Sequence, residues 1–226
     1  MKEDKGKIAV FDFCETLANY QTADPFVHFV VERIGFNRVK RKEKVLAFFN
    51  RIRIIPLIHQ FFPSLSINKK LTLRLLKGLP EEQVKQLGQE YYIEVVKKRL
   101  INKTITLLQE KQEDGYDIIL ASGGYNLYLN HFANDYHIEP FNVFCSIIQF
   151  KNGLCTGRLD GKDCMGVEKV RVLNNHLNRK EVYVEAFSDS LSDLPLLQWA
   201  DRSYLIEKVN KKHNYNINIE TIIWEE

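Results

Sequence analysis

A chain of 226 residues with 45% hydrophobic and 27% charged content has the make-up of an ordinary globular protein, long enough for one large domain or a core with a smaller partner. The net charge of +3 is too small to argue for nucleic acid, and no apolar run approaches the roughly 18 residues that a membrane span requires. The four cysteines, Cys14, Cys145, Cys155 and Cys164, show no metal-ligand spacing, and nothing like a signal peptide precedes them; reduced thiols in a cytoplasmic protein are expected.

Along the chain, "KIAVFDF" from Lys7 reads as a buried strand that ends on an acid, Asp12. From about Tyr20 to Ile101 the pattern turns helical, and "EEQVKQLGQEYYIEVVKKRL" has an acidic start and a basic end. Within it "FFPSLSINKK" at 61–70 reads as a loop. Next comes the helical "KTITLLQEKQEDG" from Lys103, then strand "DIILAS" from Asp117. "CSIIQFKNGLCTGRL" reads as a hairpin about Asn152-Gly153, a type I′ signal. Helix "GVEKVRVLNNHL" from Gly166, strand "EVYVEAF" from Glu181, helix "SDLPLLQWA" from Ser192 and strand "RSYLIE" from Arg202 complete the alternation. Such alternation predicts an α/β fold with a Rossmann-like parallel sheet, interrupted after its first strand by a helical insertion.

In an open parallel sheet, ligands bind at the carboxyl ends of the strands. There this sequence places Asp12, then Ser122 followed by Gly123 and Gly124, then Lys162 and Lys169 near the start of a helix, and finally Asp189 and Asp193 in "FSDSLSD". Acids from two strands, a hydroxyl, a glycine pair and a lysine form a coherent set for phosphoryl transfer. Carboxylates can hold Mg²⁺, while the lysine, hydroxyl and backbone N–H groups bind phosphoryl oxygens. A carboxylate can also attack phosphorus and form an aspartyl-phosphate. The bland alternatives are a turn acid at Asp12, a helix-start acid at Asp193, a tight turn at Ser122 and a solvated charge at either lysine. The six histidines form no ligand spacing, and no GxGxxG follows the first strand.

"FDFCETL", "LASGG", "GVEK" and "SDSLSD", in this order, resemble the four motifs of the haloacid dehalogenase superfamily, and the insertion resembles the small helical (C1-type) cap of its subclass I phosphatases. The resemblance implies a core of 1–19 and 105–226 with a cap of 20–104. It further implies that Asp12 is the nucleophile and a Mg²⁺ ligand, with the backbone carbonyl of Cys14 and Asp189 as further ligands and Asp193 supporting the metal directly or through water. Ser122 and Gly123 would bind the phosphoryl group, and Lys169, with Lys162 as the alternative, would neutralise it. Where the family often has glycine before the first acid of its last motif, this chain has Ser188.

The family's second catalytic aspartate, which protonates the leaving group and then activates water, is replaced here by Cys14. A thiol with a pKa of about 8.5 is a poor base at neutral pH, and losing acid–base help costs about 10²–10⁴ in rate. The side chain of neighbouring Glu15 is expected to point away from that of Cys14, as on extended backbone. The expectation is a Mg²⁺-dependent phosphomonoester hydrolase of weak turnover. The alternative is an impaired phospho-ligand-binding protein, or a phosphotransferase. Gln21 stands where phosphoserine phosphatases carry the glutamate that holds the substrate amine, which disfavours phosphoserine. A small phosphorylated substrate such as a sugar or polyol phosphate is expected. The basic-then-apolar stretch "VKRKEKVLAFFNRIRIIPLIHQFF" from Val39 offers a lipid-phosphate or peripheral membrane contact as the lesser reading.

Overall fold

In the computed structural model, which describes residues 5–35, 67–209 and 219–225, the run "KIAVF" becomes β1 (Gly6–Phe11). It lies mid-sheet with both faces covered, which is why its apolar residues run on instead of alternating with polar ones. On one face Ala9 and Phe11 join an apolar cluster, and on the other Ile8 and Val10 join a second. The sheet has six parallel strands in the order β3-β2-β1-β6-β7-β8. These are β2 (Asp117–Tyr125), β3 (Val143–Ser146), β6 (Val182–Ser188), β7 (Arg202–Lys208) and β8 (Glu220–Trp224). The expected parallel α/β architecture is therefore present, with β3 and β8 added to the strands legible in the sequence.

Register is fixed in part by aromatic stacking. Phe11, Phe187 and Tyr204 are cross-strand neighbours on β1, β6 and β7, with ring centroids 4.3 and 4.7 Å apart. Such pairs add about 0.5–1.5 kcal/mol each beyond burial. This ladder sets where β1 and β6 end, and so where Asp12 and Asp189 emerge.

One face of the sheet is covered by α6 (Val167–His176) and α7 (Leu194–Trp199) through Leu173, Leu196 and Leu197. The other carries α4 (Asn102–Glu113) and α5 (Asn126–Asp135), together with the inserted α1 (Ala23–Ile34), α2 (Ile67–Leu73) and α3 (Glu81–Tyr91). The chain leaves and returns through paired segments: Ile101 N donates to Leu17 O and Asn19 N to Arg99 O, both at 2.8 Å. Inserted residues Phe26, Val30 and Tyr91 lie in the same apolar cluster as Phe11, Leu120 and Tyr128.

Three local expectations are revised. The stretch read as a loop at 61–70 is helical from Ile67, in α2; the rest of it lies outside the described residues, as do 39–62 with the basic-then-apolar pattern. The long helix read from Glu81 is broken after Tyr91 by a π-helical turn (Tyr92–Val96) and a 3₁₀ turn (Lys97–Arg99). The hairpin is β4 (Ile148–Lys151) and β5 (Leu154–Leu159), with Asn152 and Gly153 at φ 52° and 73°, the left-handed pair a type I′ turn needs; Cys145 and Ser146 belong to β3 instead.

Gly88 marks where α3 crosses α5. An added Cβ would lie 2.6 Å from the backbone oxygen of Leu127. Gly→Ala in an exposed helix interior gains about 1 kcal/mol, but here the clash is with backbone. Gly88→Ala is expected to lose about 1–3 kcal/mol instead. Urea unfolding checks this, and a raised midpoint would refute it.

Candidate active site

From β1 the chain runs outward to β2 and β3 on one side and later to β6, β7 and β8 on the other. The crevice beyond the carboxyl ends of β1 and β6 is the point where this winding reverses, the usual ligand position in such sheets. Asp12 follows β1, its N–H donating to Phe187 O at 2.9 Å, and Asp189 follows β6. Ser122 lies in β2, fully buried, its Oγ accepting from Gly124 N at 3.2 Å. Space, not backbone conformation, demands the glycine pair. A Cβ on Gly123 would meet Met165 Cγ at 2.9 Å, and one on Gly124 would meet Leu129 at 2.8 Å.

Of the two candidate lysines, the structure brings Lys169 to the acids. Its Nζ donates to Asp12 Oδ1 at 2.7 Å and to Asp193 Oδ2 at 2.5 Å. All three are nearly excluded from solvent: Lys169 is 2% exposed, Asp12 6% and Asp193 3%. The Lys162 side chain is 73% exposed, 3.7 Å from Glu168. Burial works against the Lys169 ammonium, but Asp12 and Asp193 outweigh it and hold its pKa above the ordinary range. Burial raises the pKa of Asp12, Lys169 pulls it back and Asp193 raises it again. Ser188 Oγ also donates to Asp193 Oδ2 at 2.8 Å, so the residue standing in place of glycine supports an acid.

Asp189 faces a different balance. Burial first, then the charges of Asp12, Glu15 and Asp193, push its pKa up to about 8. Its backbone N–H donates to Thr16 Oγ1 at 3.0 Å, and the carbonyl of Thr16 is tied to α4 by Thr104 Oγ1 at 2.7 Å. Asp12 and Asp193 thus share one lysine, while Asp189 lies among carboxylates that hold its proton on. Among the described residues no three His, Cys, Asp or Glu side chains form a ready-made cage. A divalent cation would have to be held by Asp12 and Asp189 with backbone oxygen, such as the carbonyl of Cys14, and solvent. Hard oxygen donors fit Mg²⁺, which keeps several of its waters and whose charge would draw the proton off Asp189.

Cys14 is buried and engaged by a hydroxyl. Its Sγ lies 3.1 Å from Thr22 Oγ1, which is 2.7 Å from Tyr128 OH. Burial, then the charge of Asp12, push its thiol up to about 11, so it stays protonated at neutral pH. Glu15 does diverge from it, though not on extended backbone: its φ is +57°, and its carboxylate accepts from Gln21 Nε2 at 2.8 Å. The Gln21 amide is therefore committed to Glu15.

Sequence reasoning missed Thr16, Thr22, Tyr128 and Lys69. Thr16 lies inside the first motif and was within reach. Lys69 of α2 was not: its Nζ donates to Gly123 O, to Ser146 Oγ at 3.0 Å and to Asp163 Oδ1 at 2.5 Å, joining the insertion to the end of β2.

Lys169→Met strands two buried carboxylates and is expected to cost about 3–5 kcal/mol at neutral pH. With the lysine gone, buried Asp12 ionises at higher pH than in the unfolded chain, so its penalty is present above that raised value and vanishes as pH falls below the unfolded carboxylate range. Urea unfolding from pH 7 to pH 4 should show the deficit shrinking; a deficit constant with pH would refute it. The thiols give a second expectation. Burial pushes Cys145 and Cys164 up to about 12 and Cys14 to about 11, so iodoacetamide at pH 8 should modify none of the three in the folded protein and all four cysteines in urea. Rapid labelling of folded Cys14 would contradict this.

Comparison with known proteins agrees with this fold. The family of haloacid dehalogenase-like hydrolases matches residues 9–198. A phosphoserine phosphatase of Archaeoglobus fulgidus is 24% identical over 131 residues, 57% of this chain and 36% of that protein, so the chain matches little more than a third of that relative's length. Among solved structures, a protein of unknown function from Bordetella pertussis Tohama I superposes with TM-score 0.73 at 18% identity, covering 90% of this chain and 91% of the other. A phosphoserine phosphatase solved as a phospho-aspartyl intermediate analogue has TM-score 0.59 at 20% identity, covering 90% and 87%. The match across 9–198 takes in all four motifs, and the chain belongs to the haloacid dehalogenase-like hydrolases.

Proposed function

We propose that the protein is a Mg²⁺-dependent phosphomonoester hydrolase working through a phospho-enzyme on Asp12. The observation that carries this reading is the Asp12 carboxylate at the end of β1, gripped on one oxygen by a fully buried Lys169 that Asp193 also holds. That grip leaves the other Asp12 oxygen for in-line attack on phosphorus. As the Asp12 O–P bond forms, the ester P–O bond breaks and the leaving oxygen takes a proton. Water then attacks the acyl phosphate, releasing inorganic phosphate and restoring Asp12. Ser122 and the backbone N–H groups at Gly123 bind phosphoryl oxygens, and Lys169 neutralises their charge. Mg²⁺ between Asp12, Asp189 and the Cys14 carbonyl would supply the remaining charge stabilisation.

Cys14 limits the rate. Its thiol is protonated and directed at Thr22, so water supplies the leaving group's proton and hydrolysis of the phospho-enzyme lacks a base. The same orientation favours a second reading, a phosphotransferase or phospho-ligand binder in which the acyl phosphate persists. Position 21 is neutral and offers no counter-charge to a substrate amine, so phosphoserine is not the proposed substrate.

The test is phosphate release from a panel of phosphomonoesters with Mg²⁺ or with EDTA. Asp12→Asn should lose at least about 10³-fold and EDTA should abolish turnover, whereas Cys14→Asp should gain about 10²–10⁴-fold. Full activity in Asp12→Asn would sink the hydrolase reading. A Cys14→Asp variant no faster than the wild type would remove the explanation for slow turnover.

A further inference from the structure

A cavity of about 820 Å³ opens beside the candidate site, between α2 of the insertion and the 157–168 segment of the core. Some of its lining residues neighbour the candidate site. Met165 and Lys69 line the cavity and also press on Gly123, Gly166 opens the helix that carries Lys169, and Ser192 precedes Asp193. The cavity therefore adjoins the backbone proposed to receive the phosphoryl group. The volume lies within the roughly 300–1,000 Å³ of pockets that enclose drug-sized ligands, far more than a small polyol fills.

Two features define what fits. Leu73, Leu159, Met165 and Pro195 give the cavity an apolar wall, and Met165 is 45% exposed. The charges around it do not cancel. Lys69 is matched by Asp163, and Glu168 by Arg171 and Lys162. Lys70, Arg74 and Arg158 also line the cavity and have no carboxylate partner among the described residues. The two arginines are rooted on adjoining backbone: Gly157, at φ +69°, comes so near the turn that follows α2 that a Cβ on it would lie 3.0 Å from the Cα of Arg74. A guanidinium suits a planar, two-oxygen anion.

Resting on the hydrolase reading above, we propose that this cavity is the leaving-group subsite and that the substrate is an anionic amphiphile: a phosphomonoester whose leaving group carries an apolar stretch and a second anionic group, held by Arg74 and Arg158. The same chemistry is met in soluble metabolites and in lipid headgroups.

The test uses non-hydrolysable alkyl phosphonates matched in length, one ending in a carboxylate and one in a methyl group, titrated calorimetrically into the whole protein with Mg²⁺. The carboxylate-ended ligand is expected to bind at least about tenfold more tightly, as for a hydrogen bond to a charged group. In the Arg74→Gln/Arg158→Gln variant that preference should collapse while the methyl-ended ligand binds as before; both side chains are exposed, so the fold is expected to be retained, which the unfolding midpoint checks. Equal binding of the two ligands to the wild type, or a preference that survives the double substitution, would overturn the subsite and leave the hydrolase reading intact. Failure of both phosphonates and of inorganic phosphate to bind would overturn the hydrolase reading and the subsite with it. Adding the carboxylate ligand on a lipid tail in neutral vesicles separates the sources: tighter binding than the soluble form favours a lipid, equal binding a soluble metabolite.

Discussion

A buried ammonium shared by two buried carboxylates is the constraint around which the candidate site is organised. Asp12, Lys169 and Asp193 come from the end of β1, the start of α6 and the approach to α7, and none could be buried charged without the others. Their meeting requires β1 and β6 to end level, which the Phe11–Phe187–Tyr204 stack enforces from inside the sheet. Ser188, in β6, then finds Asp193 within reach of its hydroxyl. The electrostatics and the sheet register are therefore one problem with one solution.

The insertion is joined to this arrangement by two unlike contacts. Beneath it lies an apolar and aromatic contact, with Phe26, Tyr91 and Tyr128 packed at centroid distances of 5.3–5.5 Å. At the rim lies an ionic one, where Lys69 reaches across to Gly123, Ser146 and Asp163. The first contributes most of the burial. The second is directional, and places a cation from the insertion directly behind the backbone proposed to receive the phosphoryl group.

Replacing a carboxylic acid by a thiol at position 14 changes more than a pKa. An ionised carboxylate would have to face the polar crevice, whereas a thiol is small and apolar enough to be buried against Thr22 and Tyr128. The side chain that would move protons is thus built into the joint between core and insertion. The backbone at residue 14, which needs only its carbonyl to take part, is unaffected. Binding and proton transfer are separated at a single position.

The sequence by itself determined the strands whose residues are buried on both faces, β1, β2, β6 and β7, because continuous β-branched and aromatic runs have few other stable uses. It also determined the order in which Asp12, Ser122 and Asp189 appear in or after strands and Lys169 near the start of a helix. It did not reveal β3 and β8, strands of four and five residues at the sheet edges, where half-buried positions carry little pattern. Nor could it choose between Lys169 and Lys162, or show that Cys14 faces Thr22 and that Lys69 lies over Gly123. Those were decided by the tertiary structure alone. A charged or polar side chain takes its role from which groups are near and whether water is excluded, and partners 54 residues apart, like Lys69 and Gly123, become neighbours only when the chain folds.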